Sequence, residues 1–269
     1  MFNRLALLGL VLLFACSEAK ALSLSYLWGN TFRNDLGYKR KKLTQTLEHF
    51  QVWEYGNVFF YYDLTEPFSH QNGNDEGGYP NQYFGGMAPT FSLSKMTGKK
   101  WEAGWIKDVS IRLEWENGSG NGSNNFRNYF YGLQYDLAVP GFDFVSINTV
   151  LRDNPRAAGV GTQIGAFWQS TWDYGPWRRF KFTGFIAASP WDGDINVDQR
   201  EKLKKIGVVF DKHARFLTTQ PQFLWDVGYG MFGKPDRIET GFEYAYFTNR
   251  YTLAHKTEKV LQYMIKMTF

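Results

Sequence analysis

The sequence predicts an all-β fold, a closed antiparallel transmembrane β-barrel of about twelve strands. Three observations lead to this prediction. Segments in which apolar and polar residues alternate recur from residue 22 to the last residue. Aromatic residues make up 19% of the chain, although its mean hydropathy is only -0.41. The links between candidate strands alternate between long polar stretches and short turns, as they do in outer-membrane barrels.

The alternation is clearest in residues 107–116, KDVSIRLEWE. Every second residue from Val109 to Trp115 is apolar, and the residues between them are serine or charged. This period of two is typical of a β-strand with one apolar and one polar face. Candidate strands lie near residues 22–33, 43–54, 57–64, 87–95, 105–116, 126–137, 142–152, 159–172, 179–189, 214–227, 237–248 and 259–269.

The connections favour a barrel over a β-sandwich, which also requires alternating strands. After odd-numbered strands the links are long or strongly polar, as in TEPFSHQNGNDEGGYPNQYFGG, ENGSGNGSNN and SPWDGDINVDQREKLKK. After even-numbered strands they are tighter, as in EYGN, AVPG and WDYGPW, and GYGMFGKPDR is an exception. Charged residues in mid-strand suit a watery lumen better than a packed core.

The N-terminus predicts export. Residues 1–21 contain an early Arg4, an apolar run over residues 5–15, and Ala19 and Ala21 at an A-x-A cleavage site. We therefore expect a signal peptide over residues 1–21 and the barrel over 22–269. The apolar run is too short for a transmembrane helix, which needs about 20 residues. An alternative is a lipoprotein in which Cys16, the single cysteine, is acylated.

The last strand has its own pattern. Tyr263, Ile265, Met267 and Phe269 fall on one face of the strand and are expected to face lipid, while the polar residues Gln262 and Lys266 face the lumen. This ending resembles the C-terminal recognition signal of bacterial outer-membrane proteins, which the barrel-assembly machinery binds.

Four segments together resemble the nucleoside-specific channel-forming family, the Tsx-type outer-membrane proteins and their OmpK relatives. They are LEHFQVWEYGNVFFYYDL, APTFSLSKMTGK, FLTTQPQFLWDVG and IETGFEYAYFTNRY, at residues 47–64, 88–99, 216–228 and 238–251. The resemblance implies a monomeric twelve-stranded barrel in a Gram-negative outer membrane, through which nucleosides diffuse. It also implies that lipid and lipopolysaccharide surround the barrel, and that the outer loops can serve phages or colicins as a receptor.

A nucleoside has a flat base and a hydroxyl-rich sugar, so its pore needs aromatic faces and hydrogen-bonding groups. Stacking on an aromatic side chain contributes about 1–3 kcal/mol per base. Affinity must stay weak enough for the solute to leave. Alternation predicts lumen positions, and hence candidate solute contacts, at Glu48, Phe50, Phe59, Tyr61, Asp63, Arg112, Glu114, Asn148, Arg152, Lys181, Phe185, Asp226, Glu239 and Glu243.

Several alternatives stay open. The lumen charges could simply pair with one another, giving a plugged barrel with a structural or receptor role. A barrel enzyme would need a catalytic histidine, and the four candidates are His49, His70, His213 and His255. No cofactor is expected, and no Cys/His cluster has metal-ligand spacing. With 30 basic and 26 acidic residues, the charge balance gives no argument for nucleic acid.

Overall fold

A computed structural model of the chain describes residues 20–33, 39–67, 82–119, 125–153, 157–158, 160–191, 194–195, 215–249 and 257–269. These residues form strands with two short helices. The strands are β1 (Lys20–Arg33), β2 (Lys39–Trp53), β3 (Gly56–Thr65), β4 (Tyr83–Ser92), β5 (Ile106–Ser119), β6 (Asn125–Leu137), β7 (Phe144–Asp153), β8 (Ala157–Ala158), β9 (Val160–Asp173), β10 (Arg179–Trp191), β11 (Asp194–Ile195), β12 (Phe216–Thr219), β13 (Gln222–Asp226), β14 (Ile238–Thr248) and β15 (Thr257–Thr268). The helices are α1 (Leu93–Thr97) and α2 (Val227–Phe232).

The main sheet closes on itself. Its strands run in the order β12-β10-β13-β14-β15-β1-β2-β3-β4-β5-β6-β7-β9, and β9 also pairs with β10. The strands β12 and β13 share one position between β10 and β14, so the ring has twelve strand positions. All of its pairings are antiparallel, as in ladders whose strands are joined by hairpins. The predicted closed antiparallel barrel is confirmed.

The last pairing, between β1 and β15, is a regular ladder. Its register runs from Ser23 opposite Thr268 to Gly29 opposite Gln262. The ladder continues to the last residue, because the amide of Phe269 donates to the carbonyl of Leu22 at 2.9 Å. The predicted alternation of β15 is visible in exposure: Leu261 and Tyr263 are exposed, whereas Gln262 and Met264 are buried.

The outer surface of the barrel is apolar and rich in aromatic side chains. Paired residues on neighbouring strands point to the same side of a sheet, so register and exposure together define the two faces. Exposed aromatic side chains on the strands include Trp28, Trp115, Tyr129, Tyr131, Trp172, Phe223, Trp225, Phe242, Tyr244 and Tyr263. His49 and Gln51 are an exception, since they take outward register positions yet are buried, and their side chains contact at 3.2 Å.

The described connections lie at one end of the barrel, which we call the turn end. They comprise residues 54–55, 93–105, 138–143, 174–178 and 227–237. Exposed aromatic side chains gather there too, namely Tyr55, Trp101, Trp105, Phe142, Tyr174, Trp177 and Phe232. Such girdles are typical of a membrane–water interface. The long links predicted at the opposite end lie largely outside the described residues.

Two predicted strands differ from the structure. The strand expected over 214–227 is divided at Gln220–Pro221 into β12 and β13. Proline has no amide hydrogen to donate to the ladder, and the chain bends around Gly184 of β10, whose φ is +152°. A Cβ at Gly184 would lie 2.6 Å from the carbonyl oxygen of Gln220, so the close approach requires glycine.

The strand expected over 87–95 ends early, because α1 begins at Leu93. The hydroxyl of Ser92 accepts from the amide of Lys95 at 3.1 Å and caps the helix, and Gly98 ends it in the left-handed conformation. The alternation of apolar and polar residues therefore extends through Leu93, although the strand itself ends at Ser92. Similarly, α2 begins at Val227, the last residue of the strand expected over 214–227.

The closure of the ring can be tested with a disulfide. Because Phe269 bonds to Leu22, the next pair, Ser23 and Thr268, should be a non-hydrogen-bonded pair, with Cα atoms about 4.5 Å apart. That spacing allows a disulfide. We expect the double variant Ser23→Cys, Thr268→Cys to form an intramolecular disulfide on oxidation in a Cys16→Ser background, detected by mass spectrometry. The pair Ser23→Cys, Thr240→Cys should stay reduced, and equal oxidation of both pairs would contradict the closed register.

Candidate functional site

The lumen is defined by side-chain contacts that pass over an intervening strand. Lys266 on β15 reaches Glu48 on β2, past β1, with Nζ and Oε2 2.6 Å apart. The guanidinium carbon of Arg112 on β5 lies 5.1 Å from the ring centroid of Phe167 on β9, past β6 and β7. On the outside of a closed cylinder side chains diverge, so such contacts must lie inside. These residues therefore face the lumen.

The first polar wall of the lumen belongs to β13, β14 and β15. The carboxylate of Glu243 accepts hydrogen bonds from the amides of Gln220 at 3.0 Å, Gln222 at 2.8 Å and Gln262 at 2.7 Å. Glu243 and Gln262 are buried, with 4% and 3% of their surface exposed. Glutamate and glutamine are seldom buried in a soluble core, so this wall is organised around hydrogen bonding.

The same wall continues across the β15–β1–β2 seam as an ion pair. Besides the bond from Lys266, the Glu48 carboxylate accepts one from the hydroxyl of Ser23 at 3.2 Å. Ser25, between these positions, is fully buried. Glu48 and Asp63, both sequence candidates, lie on neighbouring strands here, and Asp63 accepts from Thr46 at 2.6 Å.

The second polar wall belongs to β5, β6 and β7. Arg112 forms an ion pair with Glu114 at 2.6 Å and donates to Gln134 at 2.9 Å. Gln134 in turn donates to Asp136 at 3.0 Å, and Ser146 donates to the same carboxylate oxygen at 2.6 Å. These contacts form one connected network across three strands.

At one side of the second wall, Glu116 joins β5 to its neighbours. It accepts hydrogen bonds from Asn128 at 3.1 Å and from the hydroxyl of Tyr61 at 3.0 Å. Asn148 on β7 packs against Gly165 on β9, where a Cβ would lie 2.8 Å from the Asn148 amide nitrogen. Glycine at position 165 leaves room for the amide, so the second polar wall packs closely against β9.

Two aromatic walls separate the polar walls. On β3 and β4, the Tyr61 ring stacks with Phe59, with centroids 5.8 Å apart, and contacts Phe84 at 5.5 Å. On β9 and β10, Phe167 and Phe185 stack at 6.2 Å. In the ring of strands these groups are separated by β5, β6 and β7 on one side and by β12 to β15, β1 and β2 on the other. Flat apolar faces therefore lie on two separated sides of the lumen.

A charged cluster occupies the turn end. Lys181 pairs with Glu239 at 2.7 Å and with Asp236 at 3.1 Å. Arg179 pairs with Asp236 at 2.9 Å and with Asp173 at 2.7 Å. These contacts tie β10 to β14 and to the connection that precedes β14.

Asp226 fixes the α2 connection beside this cluster. Its carboxylate accepts from the amides of Tyr229 at 2.9 Å and Asp236 at 2.7 Å, so it caps α2 and also holds the turn before β14. Burial alone would raise the pKa of Asp236, but the charge of Lys181 and the hydrogen bonds from Arg179 and Lys181 outweigh burial and lower it. Asp236 therefore stays ionised when the solution becomes mildly acidic.

The remaining candidates lie near the other end of the lumen or at its margin. The guanidinium carbon of Arg152 lies 4.9 Å from the ring centroid of Phe216 and 5.9 Å from that of Phe130. Phe50 pairs with Phe59 and is 43% exposed. All fourteen sequence candidates thus take inward register positions, but they divide among the separate walls. Their contact with a solute stays a prediction.

The lumen also contains residues outside the candidate set. Glu116, Phe84, Phe167 and the amides of Gln134 and Asn128 contact the candidates directly. The same alternation would have found Glu116 in β5 and Phe167 in β9. Their partners across the lumen have no signal in the sequence, because they lie on strands that are distant in the chain.

Among the histidines, His49 alone lies in the described residues. It is buried, and its Nε2 lies 3.2 Å from the amide oxygen of Gln51. His70, His213, His255 and Cys16 lie outside the described residues. Within the described part of the chain, no helix is long and apolar enough to cross a membrane, and no three His, Cys, Asp or Glu side chains are grouped to hold a metal ion.

Comparison with known proteins gives a distant structural similarity. No protein-family model matches the sequence, and no curated protein matches it either. Among solved structures, the chain is similar to a KdgM porin in complex with disordered oligogalacturonate, with 8% sequence identity, a TM-score of 0.45, and coverage of 93% of this chain and 99% of that chain. The barrel assignment depends on the strand pairing described above and not on this similarity.

The seam ion pair can be tested by removing one partner. Lys266→Met should leave the Glu48 carboxylate without its cation and lower the free energy of unfolding by about 3 kcal/mol, since both side chains are only about a fifth exposed. The double variant Glu48→Gln, Lys266→Met should recover most of the loss. Urea unfolding in detergent micelles measures both, and an equal loss in the two variants would contradict the pairing.

The turn-end cluster should depend on pH in a defined direction. The pKa of Asp236 is lowered in the folded protein, so its stabilising effect is complete above the ordinary aspartate pKa and is lost as the pH falls through the lowered value. We expect the protection of the α2 amides, relative to their intrinsic exchange rate at each pH, to persist near pH 4 and to fall at lower pH. In the Asp236→Asn variant the α2 amides should exchange faster at neutral pH. Their protection should also lose the part of its pH dependence that Asp236 contributes. Identical pH profiles in both proteins would contradict this role.

Proposed function

We propose that this protein is an outer-membrane channel through which small polar solutes diffuse passively, and that nucleosides are its solutes. The observation that carries the proposal is the arrangement of the lumen. Aromatic rings lie on two separated sides, at Tyr61 with Phe59 and at Phe167 with Phe185. Hydrogen-bonding walls lie between them. A flat base can stack on the rings while the sugar hydroxyls exchange hydrogen bonds with the polar walls.

The export route belongs to the same proposal. A signal peptide over residues 1–21 would direct the chain out of the cytoplasm, and the barrel-assembly machinery would recognise Tyr263, Ile265, Met267 and Phe269. The apolar outer wall and the aromatic girdle at the turn end support a location in the outer membrane. The predicted monomeric state and the surrounding lipopolysaccharide are consistent with this placement.

A second candidate function is a barrel whose lumen is filled by its own side chains and which acts structurally or as a surface receptor. The observation that favours it is the burial of charged lumen residues: Arg112 is 6% exposed and Glu239 only 1%. Ion pairs across a narrow barrel can fill space as well as bind a solute. Conductance separates the two functions, because a filled barrel passes no current.

We expect the refolded protein to conduct ions in planar bilayers and to be blocked, in a dose-dependent manner, by adenosine and thymidine but not by sugars or amino acids. Phe59→Ala should weaken nucleoside block about tenfold, because the base loses a stacking surface. Phe60→Ala is the matched control, since Phe60 pairs with the outward-facing His49 and lies on the other face of β3.

The outcomes distinguish the functions. Conductance without nucleoside block would contradict the proposal that nucleosides are the solutes, but the channel function would stand. Equal weakening by Phe59→Ala and Phe60→Ala would overturn the lumen site. Absence of conductance from a correctly folded barrel, recognised by its heat-dependent migration in gels, would overturn the channel and favour the filled or receptor barrel.

A further inference from the structure

Acidic side chains predominate on the inward positions of the described strands. The inward carboxylates are Glu48, Asp63, Asp108, Glu114, Glu116, Asp136, Asp173, Asp226, Glu239, Glu243 and Glu258. The inward cations are Lys42, Arg112, Arg152, Arg179, Lys181 and Lys266. The described lumen therefore carries a net negative charge, in contrast with the positive formal charge of the whole chain.

Several of the cations are neutralised where they stand. Lys266 pairs with Glu48, Arg112 with Glu114, and Lys181 with Glu239, each at 2.6–2.7 Å. A paired cation contributes little field at a distance, because its partner's field cancels it. The potential in the lumen then depends on the carboxylates that are stabilised by neutral groups.

Two carboxylates, a buried one and a half-buried one, are stabilised in this way, one on each polar wall. Glu243 is held by the side-chain amides of three glutamines. Glu116 is held by the amide of Asn128 and the hydroxyl of Tyr61. When they are ionised, both carboxylates present negative charge to the lumen.

An unused acceptor accompanies each of these carboxylates. The Oε1 atom of Gln262 and the Oδ1 atom of Asn128 have no hydrogen-bond partner among the residues that the structure describes. Gln262 is 3% exposed and Asn128 2% exposed, and each donates its own amide nitrogen to the adjacent carboxylate. A carboxylate oxygen and an amide oxygen are both hydrogen-bond acceptors. Such a pair is therefore complemented by a donor or by a cation.

We infer that the lumen selects cations and cationic solutes over anions, and that Glu243 with Gln262 and Glu116 with Asn128 are its two selecting pairs. The inference rests on the proposed channel function and specifies the charge class that this channel admits. Rings or pairs of inward carboxylates produce cation preference in pores, and water-filled lumen positions tune selectivity without affecting the outer wall. The carboxylates of both walls attract cations and repel anions.

The test is the reversal potential of the refolded protein in planar bilayers under a KCl gradient, at an alkaline pH at which both glutamates are ionised. We expect a potential whose sign corresponds to K⁺ passing more readily than Cl⁻. Glu243→Gln and Glu116→Gln should each lower the K⁺/Cl⁻ permeability ratio toward one, and the double variant should lower it further. Glutamine keeps the size of glutamate, and the adjacent amides of Gln262 and Asn128 can turn their oxygens toward its new donor, so these variants change charge with little change in packing.

The control is Glu102→Gln, which removes the same charge from a half-exposed side chain at the turn end, outside the strands. It should leave the permeability ratio unchanged. A wild-type preference for Cl⁻, no preference, or an equal change in Glu102→Gln would overturn the inference while the channel itself stands. Absence of any conductance would overturn both, so failure of the channel is recognised separately. If one lumen variant fails to fold, the other still decides the outcome, because the two carboxylates lie on different walls.

Discussion

The pairing of β1 with β15 is the contact on which the rest of the structure depends. An open sheet would leave one row of amides and carbonyls unpaired on each edge, and such edges are unstable in an apolar solvent. The β1–β15 ladder, with its register from Ser23 to Gly29, removes both edges at once. Closure also creates an inside, since side chains that would be exposed on a flat sheet converge on one another.

Convergence explains why charged residues can occupy mid-strand positions here. In the barrel the inward charges meet partners from strands that are not their neighbours, such as Lys266 with Glu48. Glycines make room where the lumen is narrow: a Cβ on Gly86 would lie 3.0 Å from the Tyr61 ring, and a Cβ on Gly165 would lie 2.8 Å from the Asn148 amide. The aromatic and polar walls are thus formed by the order of strands around the ring.

The turn end shows how the ends of strands are fixed. Asp226 ends β13, caps α2 and holds the turn before β14. Trp177 packs against Gly230 of α2, where a Cβ would lie 2.1 Å from the indole, and its carbonyl accepts from the Trp225 indole at 3.1 Å. This end is consequently ordered by specific contacts, and exposed aromatic rings surround it.

The sequence by itself determined where most strands lie and which face of most strands is polar, because the period of two arises from local backbone geometry. It therefore placed Arg112, Glu114, Glu239 and Glu243 on inward positions without knowledge of their neighbours. Only the tertiary structure decided what they touch. The three glutamines around Glu243, the division of β12 from β13 at Pro221, and the two separated aromatic walls depend on strand order and stagger around the closed ring, which local alternation does not encode.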